Sequence, residues 1–386
     1  MSLRPLEGYT VGITADRRWE EQAELLKRRG ADVVHGPTIT THYLGDDEEL
    51  RRPTAALIAD PPDFLVATTG LGMRTWLEAA ATWGRAEELR AALAQGRVVA
   101  RGPKAAGAVQ AAGLEVWSRS PTERIAEIVE LLAAAGVEGR RVAIQEFGMA
   151  SPGLGAALSA LGADVVEVPV YRWRLPAADG PAARMAEGAC AGRLHAITFT
   201  SAPAVHNLFR IAERHGTAER LRSALNDGVV AACVGPVCAA GAREEGIETP
   251  VVPEVGRLGL MVRALSDHLQ PRRRALRLAG TDVVLQGSAV LVAGEAVTLA
   301  PLEQVVLDQL LPRPGAVISR TALLRHGWGS AHTDPHLLEA TVARLRRRLG
   351  PAAPALQSVT GRGYRLVCDD PVRTASPADA GDSVQH

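Results

Sequence analysis

Arginines crowd one short stretch of this chain as Arg344, Arg346, Arg347 and Arg348, and Arg362 follows between Gly361 and Gly363. Guanidinium groups carry planar forks of N–H donors that match phosphate oxygens and the acceptor edge of guanine. Around them Leu338, Val342, Leu345 and Leu349 recur at i, i+4, i+7 and i+11, one buried stripe on a helix. The stretch from Asp334-Pro335-His336 to Gly350 therefore predicts a helix that is buried on one side, with Arg344, Arg347 and Arg348 largely toward solvent. Such a helix suits a DNA major groove. The glycines about Arg362 suit a tight hairpin that carries the arginine to a phosphate or the minor groove. A run of arginines is also what any solvated helix face looks like, so the elements that position it decide the matter.

Those elements come in a telling order. Val290–Thr298 reads as a hairpin around Ala293-Gly294-Glu295. Leu302–Leu311 reads as a helix introduced by Pro301 and stopped by Pro312 and Pro314. Ser319–His326 reads as a second helix with Ser319 as its N-cap, and the arginine helix and the Gly-Arg-Gly-Tyr-Arg hairpin follow. The order and the segments Thr298-Leu299-Ala300-Pro301-Leu302-Glu303, Ile318-Ser319-Arg320 and Gly327-Trp328-Gly329 resemble the winged-helix domain of OmpR/PhoB-type transcription factors, over about 287–368. The resemblance implies double-stranded DNA as partner, with contacts at His336, Thr341, Arg344, Arg346, Arg347, Arg362 and Tyr364. Arg344 takes the place of a base-reading arginine. Thr341, Arg346, Arg347 and Arg362 resemble backbone or flanking contacts. Ala343 departs from the pattern, standing where many members keep a second basic residue.

Charge supports a basic module on a neutral body. The 386 residues hold 43 Lys plus Arg and 43 Asp plus Glu, yet Arg272–Cys368 has 13 Arg against 6 acidic residues. That imbalance is the electrostatic footprint of a DNA binder. The length suggests two or three domains. Cys190, Cys233, Cys238 and Cys368 match no zinc spacing and read as buried small apolar residues. No leader precedes the first predicted strand and no apolar run reaches spanning length, so the expectation is a cytoplasmic protein with no membrane partner. His35, His42, His195 and His206 are scattered, and no metal or cofactor is expected. Gly153-Leu154-Gly155 lacks a third glycine for a dinucleotide loop. The residues from about Pro371 onward are rich in Ala, Asp, Ser and Pro and read as a disordered tail.

The first 270 residues echo themselves at an offset of about 132. Gly30-Ala31-Asp32-Val33-Val34 returns as Gly162-Ala163-Asp164-Val165-Val166, and Ala67-Thr68-Thr69 corresponds to Phe199-Thr200-Ser201. Arg101-Gly102-Pro103 corresponds to Val234-Gly235-Pro236. Alternating strands and amphipathic helices mean an α/β fold with parallel sheets covered on both faces, here as two similar lobes. Ligands of such sheets bind past the carboxyl ends of the strands. Thr68, Thr69, Gly70, Gln145, Gly148, Thr200, Ser201 and Gly235 stand there. Hydroxyls, glycines and helix N-termini suit carboxylates or phosphates, although each residue singly also suits a helix cap.

Gly12-Ile13-Thr14, Ala67-Thr68-Thr69-Gly70, Arg101-Gly102-Pro103-Lys104, Pro169-Val170-Tyr171-Arg172 and Phe199-Thr200-Ser201-Ala202 make residues 6–268 resemble uroporphyrinogen-III synthases. The resemblance implies a discontinuous lobe of about 1–38 and 172–270, a second lobe of about 39–171, and an active cleft between them. It implies Tyr171 as the residue assisting departure of the hydroxyl when hydroxymethylbilane, a linear tetrapyrrole, is cyclised with loss of water. Two departures stand out. Val237 and Cys238 follow the second Gly-Pro where a Thr is common, and Ala15-Asp16 follows Thr14 where an Arg is usual. A receiver domain is not indicated, since the segment after Ile13 offers only Asp16 and no suitable Lys exists.

The chain thus reads as a synthase-like body of residues 1–270, a linker over 271–279, a winged helix over 280–368 and a disordered tail over 369–386. The expected function is a transcription regulator that senses a tetrapyrrole or another polyanion, in pathways such as those using sirohaem for nitrite assimilation. One alternative is a bifunctional protein that retains synthase activity. Another is a body that only mediates dimerisation, a homodimer being among the assemblies the sequence allows.

Overall fold

Short apolar runs become strands buried on both faces, as parallel strands between helix layers must be. In chain order the body holds β1 (Thr10–Ile13), α1 (Trp19–Arg28), β2 (Asp32–His35), β3 (Thr40–Tyr43), α2 (Glu48–Ala59), β4 (Phe64–Ala67), α3 (Gly70–Thr82), α4 (Ala86–Leu93), β5 (Arg97–Ala100), α5 (Pro103–Ala111), β6 (Val116–Arg119), α6 (Ile125–Ala135) and β7 (Arg141–Gln145). It continues with α7 (Pro152–Ala160), β8 (Asp164–Val168), β9 (Tyr171–Arg174), α8 (Gly180–Cys190), β10 (Ala196–Phe199), α9 (Ala202–Arg214), α10 (Ala218–Asp227), β11 (Val230–Cys233), α11 (Pro236–Glu244) and α12 (Leu258–Leu269). This is a computed structural model, and it describes residues 3–146, 148, 152–370 and 373–374.

The chain forms two compact units. One runs to Ile39 and resumes at Pro176; the other is Thr40–Leu175. The body of the first unit has a parallel sheet in the order β11-β10-β1-β2. The second unit has a parallel sheet in the order β6-β5-β4-β7-β8. Each sheet therefore joins one half of the repeat to the other. The offset of 132 is kept by the elements: β2 and β8 start at Asp32 and Asp164, β4 and β10 at Phe64 and Ala196, and α3 and α9 at Gly70 and Ala202. The return point lies later than the sequence suggested. Tyr171–Arg174 pairs antiparallel with Thr40–Tyr43, so residues 172–175 belong to the second unit.

Local chemistry explains the element ends. Gly30 and Gly162 take the left-handed conformation just after α1 and α7, at φ +100° and +82°, the usual helix stop. Pro103 and Pro236 open α5 and α11 where a missing N–H costs nothing. On α9 the residues Ala204, Val205, Leu208, Phe209 and Ile211 are buried on one face, which fixes the helix against the sheet.

The remainder holds β12 (Arg274–Leu278), β13 (Thr281–Gln286), β14 (Ala289–Val292), β15 (Glu295–Thr298), α13 (Pro301–Leu310), β16 (Ile318–Ser319), α14 (Arg320–Trp328), α15 (Pro335–Leu349), β17 (Leu356–Val359), β18 (Gly363–Leu366) and β19 (Arg373–Thr374). An antiparallel sheet ordered β15-β14-β13-β12-β19 and a second ordered β16-β18-β17 enclose α13, α14 and α15, a winged helix. Ala293 and Gly294 both have positive φ, 49° and 84°, as the hairpin between β14 and β15 requires. Ser319 caps α14 by accepting from the Ala322 N–H at 3.2 Å. Leu338, Val342, Leu345 and Leu349 of α15 are buried in one core with Leu307, Leu324 and Leu366. Each such side chain contributes roughly 1.5–3 kcal/mol.

Two further boundaries are corrected. The expected linker over 271–279 contains β12, whose alternating Leu276 and Leu278 are buried in the winged-helix core, so that domain begins at Arg274. The expected disordered tail is structured where it is described. The Asp369 N–H donates to the Arg277 carbonyl at 2.8 Å, its carboxylate accepts from the Gly280 N–H at 2.6 Å, and β19 pairs with β12. The rest of the tail, 371–372 and 375–386, lies outside the described residues. No described helix is long and apolar enough to cross a membrane.

Candidate functional site

The second unit turns its strand-end groups inward. Strands β4 and β7 are the neighbours whose connections run in opposite directions, the place where open α/β sheets take ligands. There the buried Thr68 hydroxyl donates to the Gln145 carbonyl at 2.6 Å. The buried Gln145 side chain accepts from the Thr69 N–H at 3.0 Å and donates to the Glu146 carbonyl. Thr69 caps α3, accepting from the Gly72 N–H at 3.0 Å. Gly70 packs so closely that an added Cβ would stand 2.2 Å from the Lys104 carbonyl. Gly148 lies under Trp173, whose N–H donates to its carbonyl at 2.5 Å. The side-chain donors of Thr68 and Gln145 are thus satisfied within the fold, and Gly70 and Gly148 sit where a side chain would collide with its neighbours.

Tyr171 is also enclosed. It is 2% exposed, and its hydroxyl lies 3.3 Å from that of Thr69. Burial pushes the nearby Arg101 guanidinium below its ordinary range, against the pull of Tyr171 and Glu123. Arg172 bridges the buried Glu146 at 2.8 Å and Glu49 at 3.3 Å. Sequence reasoning did not single out Arg101 as a site residue. Its place at the end of β5, before the helix-opening Gly102-Pro103, was the available signal.

The first unit's strand end is different. Between β10 and β1, Thr14 is buried and donates to the Thr198 carbonyl at 2.8 Å. Thr200 and Ser201 are half-buried at the N-terminus of α9. Their hydroxyls have no hydrogen-bond partner among the described residues, and Ser201 does not cap its helix. Gly235 leads α11, with the Gly256 Cα 3.6 Å from where its Cβ would be. At the departure noted in the sequence, Val237 is 77% exposed, and the Cys238 thiol is buried and donates to the Phe199 carbonyl at 3.5 Å. The structure thus brings Thr200, Ser201 and Gly235 to one end of one sheet, with two helix N-termini beside them. Among the described residues no His, Cys, Asp and Glu group could hold a metal ion.

On α15 the arginines separate by role. Arg347 is exposed and has no ion pair among the described residues, and Arg362 is exposed at the tip of the β17–β18 hairpin. Arg346 instead donates to the Leu356 carbonyl at 3.0 and 2.8 Å and to the Ser358 hydroxyl at 3.0 Å, tying the helix to the hairpin. Arg344 is half-exposed, 3.4 Å from Glu303, and donates to the Thr341 hydroxyl at 2.9 Å. Glu303 is 2% exposed, also reaches Arg348 at 4.0 Å, and accepts from the Ala300 N–H at 2.9 Å. This carboxylate was not foreseen, because its partners lie some forty residues away. His336 is exposed, 3.3 Å from Glu339. Two of the residues expected to contact DNA are buried in this structure. Thr341 lies on the buried stripe, with its hydroxyl on the Leu337 carbonyl at 2.8 Å. Tyr364 is part of the core, and burial raises its pKa.

Known proteins match both parts. The family model of uroporphyrinogen-III synthase HemD matches residues 20–263, and that of the transcriptional regulatory protein C-terminal domain matches residues 294–366. The uncharacterized protein YjjA of Bacillus subtilis is 26% identical over 267 residues, covering 69% of this chain and 98% of YjjA. The transcriptional regulatory protein CutR of Streptomyces coelicolor is 36% identical over 114 residues, covering 29% of this chain and 50% of CutR. The crystal structure of a mutant uroporphyrinogen III synthase from the extremely thermophilic bacterium Thermus thermophilus superposes with a TM-score of 0.57 at 31% identity, covering 68% of this chain and 99% of that one. The two-lobed body, the exchanged strand pairs and the matched residues agree: the chain belongs to the uroporphyrinogen-III synthase HemD family, with an OmpR/PhoB-type DNA-binding domain joined to it.

Proposed function

We propose that the protein is a transcription regulator in which the synthase-like body senses a tetrapyrrole or another polyanion. The observation that carries this reading is the pair of hydroxyls of Thr200 and Ser201, without a partner among the described residues, at the N-terminus of α9, in the same chain as the exposed Arg347 and Arg362. Hydroxyl donors on a helix N-terminus favour carboxylates. A ligand that prefers one arrangement of the body shifts the protein toward it, by no more than its difference in affinity for the two. Tyr171 favours sensing over turnover, since its buried hydroxyl already faces Thr69. Membership of a tetrapyrrole-synthesis family makes sirohaem-using pathways, such as nitrite assimilation, the first place to look for regulated genes.

The test uses the purified full chain. Calorimetry with uroporphyrinogen III should show binding, hydroxymethylbilane should not be turned over, and footprinting on genomic fragments should show protected sites whose occupancy changes with ligand. Turnover at a rate typical of enzymes would establish the bifunctional reading instead. Neither heat nor turnover, with DNA binding intact, would leave the body as a dimerisation module or a sensor of something else.

A further inference from the structure

The DNA-binding domain is attached to the body at a second point besides the chain itself. The turn Gln286-Gly287-Ser288, between β13 and β14, sits on residues 4–9, which lead directly into β1. The Gln286 side-chain amide donates to the carbonyls of Arg4 and Glu7, both at 2.8 Å. Ser288 donates to the Gly8 carbonyl twice, from its N–H at 2.8 Å and its hydroxyl at 2.9 Å. Gln286 is 1% exposed, so these bonds are made out of water, where losing one is costly.

Only glycine permits this approach. A Cβ on Gly8 would stand 2.4 Å from both the Ala289 nitrogen and the Gln286 carbonyl oxygen. A Cβ on Gly287 would stand 2.4 Å from the Gly8 oxygen. Both residues have positive φ, +77° and +55°, a conformation open to glycine at little cost.

The seat is continuous with the core of the sheet. Next to Gly8, the buried Tyr9 donates from its hydroxyl to the Leu269 carbonyl at 3.2 Å, at the end of α12. Just beyond, Arg272 donates to the Gly228 carbonyl at 2.6 Å. The connecting chain and the turn are thus both fastened to the same region. A domain on one tether reorients freely; one fastened at two points does not. The exposed Arg347 and Arg362 show that this seat does not occupy the DNA-facing side chains.

We infer that the Gly8–Gly287 contact is a latch that fixes the DNA-binding domain on β1's lobe and transmits to it what happens at the other end of β1 and β10. The first half stands on the geometry; the second rests on the ligand-sensing reading above. The latch joins backbone to backbone through β1, whose far end adjoins Thr14 and, across the neighbouring strand, Thr200. A shift of β1 therefore moves the seat.

The test compares the full chain with Gln286→Ala and Gly8→Val by hydrogen exchange. In each variant, peptides over 4–12 and 283–292 should together exchange about tenfold faster or more, while α15 and β7 keep their protection. If either segment speeds up and the other stays at the parent rate, the latch is wrong; Gln286→Ala serves if Gly8→Val does not fold. A second arm uses a duplex selected from a random pool by the parent protein, with and without uroporphyrinogen III. The parent's DNA affinity should change with ligand, and the variants should bind both ligand and duplex but lose that change. If the change survives in variants whose exchange has risen, the transmitting role is overturned. If the parent binds no uroporphyrinogen III, the sensing reading fails and the transmitting role with it, while exchange still decides the latch.

Discussion

Thr68 and Thr200 stand 132 positions apart at the ends of the equivalent strands β4 and β10, yet their hydroxyls have opposite surroundings. That of Thr68 is buried on the Gln145 carbonyl at 2.6 Å, and that of Thr200 is half-exposed without a partner among the described residues. The repeat has kept the residue type while its surroundings differ. Thr68→Val should strand a buried carbonyl and destabilise the protein by about 1–3 kcal/mol. Thr200→Ala should alter stability by less than about 0.5 kcal/mol. With Ser201→Ala added, it should weaken ligand binding by roughly tenfold, since hydrogen bonds to charged groups are the strong ones. Denaturant melts and calorimetry on the variants decide this; equal destabilisation by Thr68→Val and Thr200→Ala would remove the distinction.

The exposed arginines should act as phosphate contacts. Arg347→Ala and Arg362→Ala should each weaken binding to any duplex and reduce the slope of log affinity against log salt by about 1. Arg346→Ala should mainly lower the stability of the winged helix, by about 1–3 kcal/mol, because the Leu356 carbonyl loses its donors. A salt titration paired with thermal melting separates the two kinds. An Arg346→Ala protein that melts like the parent but loses salt dependence would reverse the assignment.

How much of this was legible in the sequence varied with the range of the interactions. The buried stripe of α15 follows from local periodicity and the pair of lobes from repetition along the chain, while the winged helix and the lobe bounds came from the family resemblances. The strand β12 was hidden because Arg272, Arg273 and Arg274 make its start look like a linker, while Leu276 and Leu278 reveal themselves as core only once α13 and α15 are packed on them. The strand-end residues stand at or just past strand ends, but whether a hydroxyl there meets a neighbouring carbonyl or is left open depends on the strand beside it. Sequence patterning does not carry that, as Thr68 and Thr200 demonstrate. Thr341 misled for a simpler reason: it lies three residues beyond Leu338 and four before Leu345, and so inside the stripe.

Glu303 and Arg344 make a further test. Arg344→Ala leaves a carboxylate that is 2% exposed without its nearer cation, a costly state. Both melting temperature and base preference at the bound site should fall, the latter by about 1–3 kcal/mol if Arg344 reads a base. Adding Glu303→Gln should restore most of the stability and none of the preference. If the double variant recovers the preference as well, Arg344 acts as a brace for α15 rather than as a reader.

His195 gives the first unit a pH dependence whose direction is set. The Thr10 N–H donates to its Nδ1 at 3.0 Å, so the ring is the neutral Nε2–H tautomer, and it lies edge-on to Tyr9 at 5.2 Å. Burial, reinforced by the charge of Arg272, pushes its pKa down to about 4 from 6.5. A histidine with a depressed folded pKa is protonated more readily when unfolded. Its contribution is therefore complete above about 6.5 and is lost as pH falls toward about 4. The loss should amount to roughly 1–3 kcal/mol. Glu127 does not confuse the window: hydrogen bonds from Ser120 and Thr122 hold its pKa down to about 2 from 4.5, so its share fades only at lower pH. His268, lowered by burial and Arg272, shifts in the same direction and leaves a residual slope. His195→Asn places an oxygen near Nδ1 that accepts from Thr10 and does not titrate. Denaturant unfolding at pH 7 and pH 5 should show the parent losing more stability than this variant. Equal losses would mean that His195 is protonated in the fold and that its bond to Thr10 is not as described.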